Sequence, residues 1–318
     1  MEYRKRKQER YGTATKEKMS DAELSEKVRH CQVMSSVWFF VGLIGAVGGI
    51  VSYFAVRDAV IKSVLVAVLF FGGILCATFS GDNARKRSET LLREQLGDFF
   101  DAEFEKEFGP DLRTPEMNID QSLIKAFHLL NGQWEECLIM NLHEGARRGV
   151  HFSAANVSLD HVSKKSVPRE GWKIYRDTVF KGIILRCRTR ISTTTDICSN
   201  VREENSQTIP LTDNDSFDGR FFVTAESEVE AQRFLTPQFM EMLKNFECNV
   251  EGRIIGFYLQ DDVFSLALET DFGFADIAGN VNFCDIDSVR RSYTKSLREM
   301  GGAIDLLLKN DALFEVTD

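Results

Sequence analysis

Two long uncharged runs near the N-terminus constrain the fold of this chain more than any other feature of its sequence. Val33–Val56 is 24 residues long and holds no charged side chain, and a second run, Ser63–Gly81, follows within a few residues. As a helix, the first run spans about 36 Å, more than the roughly 30 Å hydrocarbon core of a bilayer. Ala59–Phe79 is also long enough if Lys62 extends its amine towards the headgroups. The pattern predicts a transmembrane helical hairpin within residues 33–80.

Two other interpretations fit the length of these runs less well. Buried helices of a soluble core seldom extend for two dozen residues without a charge. The apolar region of a cleaved signal peptide is shorter, about 7–15 residues, and here a second apolar run follows directly. We therefore expect both runs to be retained as spans.

The flanks of the two runs predict their orientation. Only a few residues around Arg57 and Asp58 join the runs, so both ends of the hairpin should lie on one side of the membrane. Nine Lys and Arg residues precede the first run and residues 85–87 are basic, whereas the connection offers only Arg57 and Lys62. Basic flanks stay in the cytoplasm. We predict a two-pass protein of the cell (inner or plasma) membrane with both termini cytoplasmic.

Small residues mark one face of the first span. They are Gly42, Gly45, Gly49 and Ser52, and their spacing lets another helix backbone approach closely. We expect this face to pack within the hairpin. A homo-oligomer formed through Gly45 and Gly49 is the alternative.

An amphipathic helix is predicted directly after the spans, over residues 82–109. Its apolar residues recur at every fourth position: Leu92, Leu96, Phe100, Phe104 and Phe108. Burying each of them is worth roughly 1.5–3 kcal/mol, and an exposed Phe-rich face promotes aggregation. We therefore predict that this juxtamembrane helix bends near Gly97 and packs on its own domain.

Residues 110–318 are predicted to form an α+β domain with a mainly antiparallel sheet covered by helices. Alternating apolar residues predict strands at Trp134–His143, Val150–Leu159, Thr178–Ile191, Phe217–Thr224, Arg253–Gln260 and Val263–Leu268. Capping patterns predict helices that begin near Thr114, Ser227, Thr236 and Asp285. The polar stretch Ser192–Ser216 is predicted to be a mobile loop. The predicted organisation is thus a basic N-terminal segment (1–32), the transmembrane hairpin (33–80), the juxtamembrane helix (82–109) and a cytoplasmic domain (110–318).

The charge distribution argues against nucleic acid as a partner. Residues 1–81 hold 11 Lys/Arg and 7 Asp/Glu, whereas residues 82–318 hold 28 Lys/Arg and 41 Asp/Glu. A nucleic-acid-binding surface needs a concentration of basic side chains, and the larger part of this chain is acidic. The expected partners are the lipid bilayer and a protein partner that the sequence does not identify.

The sequence gives little indication of a catalytic, cofactor-binding or metal site. The sequence holds no P-loop, no dinucleotide-binding Gly motif, no nucleophile elbow and no H-E-x-x-H. Asp271-Phe272-Gly273 matches a kinase tripeptide by chance, because the Gly-rich and catalytic loops of a kinase are missing. The seven cysteines include no C-x-x-C pair and are expected to be reduced. We predict no catalytic residue, no cofactor and no metal site.

Two other groups of residues allow a functional interpretation. His143 and His151 flank the first predicted hairpin and could approach each other, although their spacing is not that of a zinc site. Trp172 and Tyr175 could form an aromatic contact loop. We expect the histidines to be ordinary surface or core residues and the two aromatic side chains to be half-buried.

The order of these elements resembles that of a prokaryotic membrane protein family, domain of unknown function 3137. The stretch Phe217–Phe246 has the family's F-x-x-x-F-x-V strand, an acidic helix and Leu-Thr-Pro, and Phe180–Ile191 is similar to its aromatic-x-Gly strand. The resemblance implies the fold and the membrane location. It implies no activity and no catalytic residues.

Three functions remain open at this point. We expect an integral membrane protein that acts as an interaction or regulatory module, because the sequence points to anchoring and not to catalysis. The alternatives are a small-molecule sensor and a hydrolase whose site is assembled from distant residues of the cytoplasmic domain. Convergent titratable groups in a deep pocket would favour the hydrolase.

Overall fold

The computed structural model describes residues 18–55, 64, 68–69, 72–111, 114–167, 171–194, 196–201, 214–225, 227–278 and 280–316. The helices are α1 (Asp21–Ala55), α2 (Gly72–Phe108), α3 (Gln121–Ala126), α4 (Asp215–Asp218), α5 (Glu228–Phe234), α6 (Pro237–Asn249) and α7 (Ile286–Leu307), with a 3-10 turn at Leu129–Gly132. The strands are β1 (Glu136–Arg147), β2 (Val150–Val167), β3 (Gly171–Arg188), β4 (Ile197–Val201), β5 (Phe221–Ala225), β6 (Arg253–Gln260) and β7 (Val263–Glu269). The chain divides into two compact units: Met1–Phe100 with Val281–Arg290, and Asp101–Asn280 with Arg291–Asp318.

The second unit is built on one seven-stranded sheet of order β1-β2-β3-β7-β6-β4-β5. Every neighbouring pair of strands in this sheet is antiparallel. The predicted α+β class with an antiparallel sheet is therefore confirmed.

Local turn chemistry sets two of the hairpins. Arg148 and Gly149 have φ angles of 47° and 77°, as a two-residue turn with positive φ at both positions requires. The turn is thus shorter than the predicted connection, and β1 and β2 continue beyond the predicted strands. The β6–β7 hairpin turns at Asp261 and Asp262 as predicted.

The prediction of a loop over Ser192–Ser216 is wrong in part. Ile197–Val201 forms β4, which lies between β6 and β5, and Ser199 is fully buried there. The strand was missed because its polar residues are buried by neighbouring strands and give no alternation. Residues 202–213 lie outside the described part of the chain. Phe217, predicted to open a strand, lies in the single turn α4, which Asn214 caps.

The helix predicted to begin at Thr114 begins instead at Gln121, capped by Asp120. Thr114 donates its backbone N–H and its hydroxyl to the Glu144 carboxylate on β1, at 2.6 and 2.9 Å. Thr114 therefore bonds to a residue that is distant in the sequence and does not cap a helix. The helices predicted at Ser227 and Thr236 have those residues as their N-caps.

The two faces of the sheet have different covers. On one face, Phe257 and Phe264 pack against Phe234 of α5 and Phe239 of α6, with ring centroids 5.2 to 6.2 Å apart. On the other face, the cluster includes Leu123, Ile124, Phe127 and Trp134 above Ala155, Ile184 and Tyr258. The long stripe of α7, from Ile286 to Leu308, is buried as predicted.

The juxtamembrane helix forms the C-terminal part of α2, which runs unbroken from Gly72. It ends at Gly109, whose φ is 75° and whose N–H donates to the Glu105 carbonyl at 2.8 Å. Phe104 and Phe108 are buried and contact Phe274 edge to face, and Phe108 also contacts Phe152 of β2 with ring centroids 5.0 Å apart. The predicted packing of this row on its own domain is confirmed at these two positions.

Candidate functional site

The most exposed apolar surface of the described chain is the second half of α1. Thirteen large apolar side chains between Val33 and Tyr53 are each 42 to 71% exposed, and they point in all directions around the helix. The core helix of a soluble protein is mostly buried, whereas 6% of the apolar window of this helix is buried. Among the described residues, one helix, Asp21–Gly48, is long and apolar enough to cross a membrane. Ten of the 21 residues of the second predicted span, Ala59–Phe79, lie outside the described residues.

The first half of α1 is held by polar contacts within the first unit. Ser20 and Glu23 form a reciprocal cap, each accepting from the other's backbone N–H. Arg290 donates two hydrogen bonds to Asp21, at 2.7 and 2.9 Å, and Ser25 donates to the Cys284 carbonyl at 2.6 Å. Polar contacts therefore hold the first half of α1, residues 21–32, which we refer to as the polar base. The second half exposes its apolar side chains.

An open cleft of about 1120 Å³ lies beside this base. Its charged lining includes Lys18, Lys27 and Arg29 but also Glu23 and Glu26. Because the two signs are mixed and the cleft is open, the charges select no class of ligand.

A polar row crosses the interior face of the sheet beneath α3. Successive pairings bring together Glu144, Ser153, Arg186, Ser265, Tyr258 and Cys198, one from each of six strands. Directly opposite residues share a face, so these side chains lie side by side. Sequence reasoning missed the row, and the one signal was a lone arginine in the apolar stretch Ile183–Cys187.

Arg186 is the centre of this row. It is 6% exposed and donates one hydrogen bond to the Asn118 carbonyl at 2.5 Å, while its Nε has no partner within the described residues. Burial lowers the pKa of Arg186, and the nearby carboxylates of Asp120 and Glu144 oppose that shift. Since solvent scarcely reaches the guanidinium, its contacts tie the α3 segment to the sheet.

The other ionisable groups near the row are also engaged. The Tyr258 hydroxyl donates to Asp196 at 2.8 Å, and burial, reinforced by this bond, raises the pKa of Tyr258 well above its usual value. Burial raises the pKa of the Cys187 thiol to about 12, and that of Cys137 also rises. Such thiols are protonated at neutral pH and are poor nucleophiles.

The two histidines near the first hairpin are not brought together. His143 pairs with Ala154 across the strands, whereas His151 pairs with Ala146. His143 lies beside Asp111, 3.3 Å away, and its ring is 4.8 Å from that of Phe104. Among the described residues, no group of three or more His, Cys, Asp or Glu side chains is arranged to hold a metal ion.

The kinase-like tripeptide lies in the turn after β7. Next to it, Phe274 exchanges two backbone hydrogen bonds with the buried Asn156 side chain, at 2.8 and 2.9 Å. This contact fixes the turn against β2. The turn has a structural role.

An ion network joins α2, β1 and α7 within the second unit. Arg147 donates to Asp305 at 2.7 and 3.1 Å and to Glu107 at 2.8 Å. The hydrogen bond from Arg147, followed by its charge, holds the pKa of Asp305 below its ordinary value.

We predict that Asp305→Asn lowers the free energy of unfolding at neutral pH, and that this difference shrinks as pH falls below about 4. A carboxylate with a depressed pKa stabilises the folded state above its unfolded pKa and loses that contribution on protonation. Denaturant titrations of both proteins at several pH values provide the measurement. Asp287→Asn is the control, because Asp287 is exposed on the same helix and should have little effect. A difference that does not vary with pH would contradict the prediction.

One segment of the chain, most of it in the second unit, matches a known protein family. Residues 178–308 match the family described as "Protein of unknown function (DUF3137)". This DUF3137 segment, from the middle of β3 to α7, includes both stretches that carried the resemblance in the sequence. It covers less than half of the chain, so the resemblance expected over most of residues 82–318 is confirmed over a shorter range.

Two further comparisons extend the search beyond the DUF3137 segment. No curated protein matches the sequence. The crystal structure of the mycobacterial trehalose monomycolate transport factor A, TtfA, aligns over 59% of this chain and 85% of that chain, with 10% identity and a TM-score of 0.27. This score is too low to relate the two folds.

Proposed function

We propose that this chain is a two-pass membrane protein whose folded second unit acts by binding, as a membrane-anchored interaction or regulatory module. In this proposal both termini are cytoplasmic and the protein partner is unidentified. The observation that carries the proposal is the bare apolar surface of α1, because water would penalise so many exposed apolar side chains.

A close approach of the two apolar runs supports the hairpin. A Cβ atom added to Gly48 of α1 would lie 3.8 Å from the Cδ1 atom of Leu69, which belongs to the second run. This distance is ordinary van der Waals contact. A side chain of the second run therefore lies against the α1 backbone at Gly48, as expected if the two runs pack together.

The engagement of the interior polar groups supports binding over catalysis. Glu144 accepts from Thr114, Tyr258 donates to Asp196, and Arg186 donates to a backbone carbonyl. Each contact joins two segments of the second unit, and the buried thiol of Cys187 is held protonated. Catalysis by a general base or a nucleophile requires a side chain directed at a substrate, whereas these side chains bond to other segments of the protein.

We expect the full chain, tagged at both ends and expressed in bacterial cells, to stay in the membrane pellet after alkaline carbonate washing. Protease added to intact spheroplasts should cut neither tag, and should cut both once the membrane is permeabilised. Cleavage of either tag in intact spheroplasts would contradict the proposed orientation.

A variant pair tests whether α1 is the anchor. In Val41→Lys/Ile44→Lys, each lysine at the centre of a span costs about 2.5–3.5 kcal/mol of insertion free energy, so the chain should lose much of its membrane association. Glu26→Lys/His30→Lys adds lysines to the exposed polar base of the same helix and should leave association unchanged. Equal retention of both variants would contradict an anchoring role for this helix.

A further inference from the structure

The β2–β3 hairpin extends beyond the rest of the sheet. The last pairing of β2 with β1 is at Asp160, and the last pairing of β3 with β7 is at Gly182. The two strands nevertheless remain paired with each other out to Val167 and Gly171. We refer to residues 161–167 and 171–177 as the ribbon. At about 3.3 Å per residue, it projects for roughly 23 Å with no third strand among the described residues.

Three of the six exposed large apolar side chains in the described part of the second unit lie on this ribbon. Trp172 is 75% exposed, Ile174 55% and Tyr175 41%, so the expected half-burial of Trp172 is wrong. Trp172 and Ile174 share one face, because side chains two residues apart on a strand point the same way. An isolated two-stranded ribbon has no core of its own to bury them. Trp and Tyr have an apolar ring with a polar group, which suits the boundary between water and a bilayer.

The ribbon is also basic in an acidic part of the chain. The sequence from residue 161 to 177 holds five Lys/Arg against two Asp/Glu, whereas residues 82–318 as a whole hold 28 against 41. Lys164, which is exposed, pairs directly with Ile174 and therefore shares its face. Lys173 and Arg176 are exposed as well, and Arg176 also bonds to Glu136 at 2.9 Å. Basic residues beside aromatic ones complement a surface of anionic headgroups.

We propose that the ribbon is a second membrane contact, which places Trp172 and Ile174 at the headgroup level of an anionic bilayer. Lys164 on the same face, and Lys173 extending its amine from the opposite face, then lie near the phosphates. The inference rests on the proposed membrane anchoring. An anchored chain meets the bilayer at a high effective concentration, so even a weak contact of the ribbon is populated. The same argument favours lipid over an acidic partner in solution.

The test uses the full chain carrying Trp38→Phe, reconstituted in nanodiscs of brominated phosphatidylcholine with or without phosphatidylglycerol. Bromine quenches tryptophan at the depth of the lipid. Only Trp134, which is buried in the second unit, and Trp172 then emit. We expect loss of most of the Trp172 emission in discs that contain phosphatidylglycerol, and recovery at high salt. Trp38→Phe/Trp172→Phe gives the emission of Trp134 alone.

A charge variant tests the lipid preference. Lys164→Glu/Lys173→Glu should abolish the quenching, and Lys125→Glu/Lys244→Glu, an equal change at exposed positions away from the ribbon, should not. Unquenched Trp172 in a chain that co-purifies with the discs would overturn this inference and leave the anchor intact. Quenching that is insensitive to phosphatidylglycerol and to Lys164→Glu/Lys173→Glu would also overturn it. A chain that fails to enter the discs would overturn the proposed anchoring, and the inference with it.

Discussion

Gly182→Ala should strongly destabilise the second unit, although it adds a single methyl group. A Cβ atom at this position would lie 2.0 Å from the Leu268 carbonyl oxygen and 2.9 Å from the Glu269 Cα atom, both in the backbone of β7. Neither atom can rotate away as the end of a side chain could. The change must therefore push β3 and β7 apart in the middle of the sheet. We expect a loss of about 3 kcal/mol or more, against a total stability of roughly 5–15 kcal/mol.

Thermal unfolding of the detergent-solubilised chain, followed by near-ultraviolet circular dichroism, measures this effect. Gly302→Ala is the matched control, because no atom lies within 4 Å of a Cβ atom added there and the residue is inside α7. It should keep or raise the stability, by up to about 1 kcal/mol, since alanine favours a helix. A G182A chain with the thermal transition of the unmodified protein would refute the argument.

Elements with local signals could be predicted from the sequence. The caps at Ser227 and Thr236 and the turn at Asp261 depend on residues close in sequence, and all three are found where expected. The apolar stripe of α7 was equally predictable, because its period is a property of one helix.

Elements that depend on distant partners could not be predicted. The five residues of β4 are strand because β5 and β6 bond to them on both sides. Thr114 does not cap a helix, and its backbone N–H and hydroxyl instead bond to Glu144, 30 residues later, which no local pattern reveals. The polar row around Arg186 exists only once six strands are in register, so a sequence scan for spaced motifs could not find it.

The exposed aromatic side chains fall between these two cases. From the sequence, Trp172 and Tyr175 could form a contact surface or could be half-buried. These two interpretations differ only in whether the neighbouring strands extend far enough to cover the side chains. Because β1 and β7 stop short of the ribbon, no element within the described part of the chain covers Trp172. The strand ends therefore decide whether Trp172 is buried, which composition had left open.

Phe104→Asp should strongly destabilise the second unit. Phe104 is 2% exposed and its ring lies 4.8 Å from that of His143, 5.3 Å from Phe108 and 6.2 Å from Phe274. Removing a buried phenylalanine costs about 3–5 kcal/mol, and an unpaired carboxylate in its place adds a desolvation penalty. Asp111, which lies 3.3 Å from His143, would further repel the new charge. The packing of α2 on β1 and β2 should then be lost.

The same thermal measurement on the full chain tests this prediction, with two comparison variants. Val229→Asp makes the equivalent change at an exposed position in the first turn of α5, where a carboxylate is tolerated, and should shift stability by less than about 0.5 kcal/mol. Phe104→Leu removes volume without adding charge, so its loss should be intermediate. If Phe104→Asp left the thermal transition unchanged and instead removed a protein captured by the unmodified chain, α2 would be a surface for that partner. The burial of Phe104 and Phe108 against their own domain predicts the opposite result, because side chains already enclosed by β2 and Phe274 offer nothing to a second protein until the unit unfolds.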